Sequence, residues 1–113
     1  MNDKVEALIT ASEYIVNLKI SISKAAEDLY GVEYEKGIAM IEPISEGLNW
    51  LSSVIQNTRD LQKGEISIEE LNEKLNDIVV AIGNEDNVLV ADLFNYELLT
   101  IIENIEKVIN NSI

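Results

Sequence analysis

Apolar residues recur along the chain at intervals of three and four, the spacing that places side chains on one face of an α-helix. From Val5 onward, Leu8, Ile15, Ile22 and Leu29 return every seven residues, with Ile9, Val16 and Ala26 beside them. This is one stripe of a long amphipathic helix. Gly31 follows the last of these residues and can take the left-handed conformation that closes a helix, so the first helix is predicted over about residues 3–30.

A second helix is predicted over about residues 33–62, with Glu33 and Glu35 at the positive end of its dipole. Its seam is Tyr34, Gly37, Ile41, Ile44, Leu48, Leu51, Ile55 and Thr58. Pro43 falls inside this periodic stretch, where it removes a backbone donor and crowds the preceding turn, so a kink is expected near it. Gly37 and Gly47 flank the bend. They either admit another backbone closely or simply weaken the helix beside the proline, the second being the plainer account.

Ile66-Ser67-Ile68-Glu69-Glu70-Leu71 reads as a helix start: Ser67 and Glu70 can form a capping box, and Ile66 can staple onto Leu71. The third helix is predicted over about residues 67–83, with Ile68, Leu71, Leu75, Ile78 and Ile82 inward and Gly83-Asn84 as its stop. A fourth is predicted over about residues 86–110, capped by Asp86. It carries one stripe of Leu89, Tyr96, Leu99, Ile102 and Ile109 and another of Leu98, Ile101, Ile105 and Val108. No strand pattern survives, since Ile78-Val79-Val80-Ala81-Ile82 lies within the third helix's register. The expected fold is all-α: one domain over residues 1–113, an antiparallel up-down four-helix bundle with helix 2 kinked at Pro43.

Composition narrows the chemistry. The 113 residues are 47% hydrophobic and 26% charged, within the range of folded domains and enough for one core. Histidine and cysteine are both absent, which excludes thiolate or imidazole metal sites, disulfides and Cys- or His-dependent nucleophilic catalysis. With 21 acidic and 8 basic residues the net charge is −13, so nucleic-acid backbones and anionic membranes would be repelled. Glu6, Glu13 and Asn17 interrupt the segment after Met1-Asn2-Asp3-Lys4, which leaves no apolar run for a signal peptide or membrane span. A cytoplasmic protein is expected. Abundant Ile, Asn, Glu and Lys suggest an AT-rich bacterial genome.

The third helix is about half the length of the first two, so some 15–20 Å of their flanks would lack a fourth neighbour at about 1.5 Å per residue. Helix 2 also carries a displaced stripe of Met40, Pro43, Gly47, Trp50, Val54, Asn57 and Leu61 around the only tryptophan. Such a stripe is either a wide core face or an interface anchored by Trp50. On the second reading Met40, Trp50, Val54, Leu61, Leu98, Ile101 and Val108 form an interaction surface, most simply for a homodimer through helices 2 and 4.

Carboxylate pairs at helical spacing, Glu42 with Glu46, Glu69 with Glu73 and Glu103 with Glu106, read as solvated faces. No cofactor or metal is expected. Without histidine the di-iron bundle motif is absent, and a Mg-dependent pyrophosphohydrolase pattern finds only Glu70-x-x-Glu73 and Glu103-x-x-Glu106, lacking the Glu-x-x-Asp partner. Asp92 falls on the buried stripe of helix 4 and needs a partner; Arg59, the only arginine, could hold it or Glu97, with Tyr96 nearby.

The run Ala91-Asp92-Leu93-Phe94-Asn95-Tyr96-Glu97-Leu98 resembles a group of small helical proteins of unknown function from Gram-positive bacteria that share Ala-Asp-Leu-x-x-Tyr-Glu-Leu. The likeness extends loosely back through Gly47-Leu48-Asn49-Trp50-Leu51. A weaker likeness is to flagellar export chaperones, carried by Gly64-Glu65-Ile66 at the step into the third helix; it implies a disordered client, and no binding residues carry over. The expected function is a non-enzymatic protein-interaction module that binds itself or another protein, with a secretion-type chaperone or an acidic Mg-dependent nucleotide hydrolase as alternatives.

Overall fold

Helices account for most of residues 3–113, the residues that the computed structural model describes. Met1 and Asn2, which head the segment read for a leader, lie outside the described residues. The order is α1 (Asp3–Tyr30), α2 (Tyr34–Asn57), a 3-10 turn (Arg59–Leu61), α3 (Ile68–Gly83), α4 (Asn87–Asp92), a π-helical segment (Leu93–Leu98) and α5 (Leu99–Asn111). The last three follow one another without a break, so the chain folds as four helices, with no strand among the described residues.

α1 is the central element, packing against α2, α4, the π segment and α5, while α3 rests on α4 and the π segment. Its heptad residues Leu8, Ile15, Ile22 and Leu29 are all at most 2% exposed, as their spacing predicts. Along the α1–α2 contact Lys4 meets Asp60, Tyr14 meets Gly47 and Leu29 meets Gly37. A Cβ on Gly37 would lie 3.0 Å from both the Ala25 carbonyl oxygen and the Leu29 nitrogen, so this glycine is where two backbones approach. The closer-approach reading therefore replaces the plainer one at Gly37, whereas at Gly47 the close neighbour is a side chain, that of Tyr14.

The helix ends follow local chemistry with three departures from the expected pattern. Ser67 accepts a bond from the Glu70 N–H at 3.1 Å, and Asp86 accepts one from the Leu89 N–H at 3.1 Å, so both residues cap their helices, the first without the return bond from the Glu70 side chain that would complete a capping box. Gly31 does not turn left-handed; its N–H bonds the Asp28 carbonyl at 3.2 Å. α3 closes instead through Glu85 at φ 55°, with the Asp86 N–H on Ala81 O and the Glu85 N–H on Ile82 O, both at 3.0 Å. That is a Schellman closure on a non-glycine residue. α2 stops at Asn57 and not near residue 62, because the buried Thr58 turns its hydroxyl back to the Val54 carbonyl at 2.7 Å and the chain tightens into the 3-10 turn. Pro43 lies within α2, which continues through it from Tyr34 to Asn57.

The π segment has a cause in the sequence. Val90, Phe94, Leu98 and Ile102 lie four apart and are all at most 2% exposed. Three steps of four would swing the face by about 120° in a regular α-helix. A wider i→i+5 turn over Leu93–Leu98 takes up that drift and keeps all four side chains inward. The predicted stripe splits in consequence: Leu89 (42%) and Tyr96 (69%) point to solvent, whereas Ile102 and Ile109 are fully buried.

Candidate interaction site

α1 and α2 meet side by side, and on their outer face Tyr14 lies across Gly47. A Cβ on Gly47 would come within 1.8 Å of the Tyr14 hydroxyl, so only glycine leaves the ring this seat. One turn beyond Gly47, Trp50 meets Tyr14 edge to face, with ring centroids 5.4 Å apart at 80°. Trp50 is nevertheless 39% exposed. Two adjoining depressions share Tyr14 and Pro43: one of about 380 Å³ reaches Thr10, Glu46 and Trp50, and one of about 270 Å³ reaches Ser21, Ala39 and Met40. Together they form a shallow, mainly apolar groove along the α1–α2 seam.

The rest of the expected surface is not available. Val54, Leu98, Ile101 and Val108 are all at most 8% exposed and belong to the core, and Met40 and Leu61 are half-buried. For Val108 the cause is the early end of α2. The segment between the 3-10 turn and α3 folds over α5: the Lys63 N–H donates to Ser112 Oγ at 2.8 Å, and Asn104 donates to the Glu65 carbonyl at 3.3 Å. Gly64, at φ 138°, rests on Val108. The C-terminal end of the fourth helix's second stripe is thus covered by the protein's own chain.

Where α3 does run beside α2 the two enclose a cavity of about 210 Å³, with Ile44, Leu48, Ile78, Ile82 and Phe94 in its wall. α3 ends beside Ile44, and Tyr34 and Ile38, on earlier turns of α2, are 44% and 45% exposed.

Asp92 is half-buried and accepts a hydrogen bond from the Tyr30 hydroxyl at the end of α1, not from Arg59. Arg59 instead lines a depression with Glu65, Ser67 and Glu69 at the start of α3. The Asp92 carboxylate favours the protonated phenol, which pushes the Tyr30 pKa up to about 12, with partial desolvation adding to the shift. Tyr96 is exposed, so no buried Asp92–Tyr96–Arg59 contact forms. Glu97 pairs with Lys74 of α3 at 2.7 Å, which raises the lysine pKa, and Glu106 pairs with Lys19 of α1 at 2.7 Å. Glu42, Glu46, Glu69, Glu70, Glu73 and Glu103 are exposed, and no group of three or more carboxylates among the described residues is placed to hold a metal ion.

A family model for a domain of unknown function, DUF8042, matches residues 6–108. The chain belongs to that family. No curated protein and no solved structure matches it. In this DUF8042 domain the run Ala91 to Leu98, on which the sequence resemblance rests, coincides with the end of α4 and the π segment. All of its marked residues but the exposed Tyr96 have a structural task there: Asp92 takes Tyr30, Glu97 takes Lys74, and Ala91, Leu93 and Leu98 enter the core. No helix among the described residues is long and apolar enough to cross a membrane.

Tyr14 is the residue of the groove that the sequence pattern did not single out. Its signal was its place four residues before the buried Leu18 and three after the buried Ala11, at the edge of the core face. The glycine that seats it lies on another helix, which no spacing along α1 reveals.

Proposed function

We propose that this domain is a non-enzymatic helical interaction module whose docking face is the α1–α2 groove, with Trp50 as its anchor. The observation that carries this is the aromatic pair itself: Tyr14 is fixed on Gly47 and Trp50 is fixed on Tyr14, yet Trp50 remains 39% exposed. A large, pre-positioned ring that is still open to solvent loses little entropy on binding, which is what an interface anchor needs. The reading takes the helices as an antiparallel up-down bundle, which the descending order of α1 contacts along α2 supports, and takes a bend at Pro43 as part of the groove's shape. It goes with a cytoplasmic, Gram-positive bacterial setting, supported by the resemblance and the composition.

Denaturant unfolding of Trp50→Ala tests the reading. An anchor that waits for a partner contributes little to the free protein, so a loss below about 2 kcal/mol is expected, whereas a loss of about 3–5 kcal/mol would make Trp50 a core residue and end the proposal. Light scattering of the wild type across about a hundredfold dilution then separates a second copy from another protein as occupant.

A further inference from the structure

We infer that the groove takes a basic amphipathic helix of a partner protein, with apolar side chains entering beside Trp50 and Lys or Arg side chains meeting Glu6, Glu42 and Glu46. The inference rests on the docking face proposed above and names its occupant. From Met40 to Trp50 the groove follows ten residues of α2, about 15 Å at the helical rise, which matches the i, i+3/i+4, i+7 anchors of a short helix. Both walls are helices whose backbone groups, apart from the Ala39 carbonyl that faces Pro43, are bonded internally. They offer no edge for an extended peptide to pair with, so a segment that satisfies its own backbone is favoured.

Charge selects the rest of the partner. Glu42, Glu46 and Trp50 follow one another at one-turn steps on α2, as Glu6, Thr10 and Tyr14 do on α1, so two ridges, with two acids on α2 and one on α1, run into the aromatic pair. Glu6, Glu42 and Glu46 are exposed, none takes part in an ion pair among the described residues, and no lysine or arginine lines either depression. The net charge of −13 extends the same field over the whole molecule. A second copy would set these ridges against another acidic surface, and like charges across an interface oppose binding.

The test uses the full chain and a synthetic tryptophan-free helical peptide of Leu and Lys, with Leu at i, i+3/i+4, i+7 spacing. Companion peptides carry Gln or Glu in place of Lys. Trp50, the only tryptophan, reports occupancy by its emission. The Lys peptide is expected to shift that emission and to bind about tenfold more weakly to Glu6→Gln/Glu42→Gln/Glu46→Gln, with affinity falling as salt rises. Neutralising Glu69, Glu73 and Glu103 instead is expected to change affinity by less than about twofold. Equal binding of the Gln or Glu peptide, undiminished binding to the triple variant, or a second copy filling the groove at working concentration would overturn the basic partner while leaving the docking face standing. If no peptide and no second copy perturbs Trp50, both readings fall.

Discussion

Single positions carry opposite consequences for substitutions that look alike. Gly37→Ala should gain up to about 1 kcal/mol of helix propensity, yet the new methyl meets the backbone of α1, which cannot swing aside. We expect a net loss of about 1–3 kcal/mol in denaturant unfolding, the range for overpacking. Gly47→Ala meets only the half-buried Tyr14 side chain, which can rotate away; stability should change little while the near-UV circular dichroism of the Tyr14–Trp50 pair is lost. The Tyr30 phenol is held in its neutral form by Asp92, its pKa raised from 10.0 to about 12. A raised pKa means that this contribution to stability is complete below about pH 10 and disappears as the pH rises through about 12. In a spectrophotometric titration one tyrosine should therefore ionise late, and Asp92→Asn should return it to the ordinary range.

At the level of elements, two local compromises stand out. α3 closes on Glu85 in the left-handed conformation, where a side chain crowds the following carbonyl by about 1–2 kcal/mol. Glu85→Gly should stabilise the protein by about 1 kcal/mol in thermal or denaturant melts, because the Schellman bonds at Asp86 and Glu85 stay in place. The π segment is the other compromise. It gives up regular bonding so that Val90, Phe94, Leu98 and Ile102 can all face inward, and the same turn carries Asp92 to Tyr30 and Glu97 to Lys74. One irregular turn therefore aligns a core face and two cross-helix polar contacts.

For the whole molecule, the central position of α1 explains how a chain of net charge −13 holds together. One of its three lysines, Lys24, pairs with Asp28 of α1 itself; the other two are placed against acids of other segments, Lys4 with Asp60 at 3.1 Å and Lys19 with Glu106 at 2.7 Å. These ties are individually weak, but they put scarce cations where helices from distant parts of the chain meet. The acids left over gather on outer faces, Glu42 and Glu46 beside Trp50 among them. An extended body of 47 × 23 × 19 Å thus presents an open aromatic groove on an acidic side, and the proposed function lies in that combination.

Periodicity and end signals determined much of this fold. The heptad of α1, the Ser67 and Asp86 caps, the absence of strands among the described residues and the apolar character of residues 98–109 are properties of neighbours three to seven positions apart, which a sequence displays directly. Trp50 as the exposed aromatic of its stripe, Tyr14 as its support and Tyr30 as the partner of Asp92 were decided only by tertiary structure. So was the burial of Leu98, Ile101 and Val108, which a spacing rule cannot tell from an interface. The physical reason is that helical spacing says which side chains share a face, whereas what covers that face is set by contacts such as Lys63 with Ser112, made across 49 positions of chain.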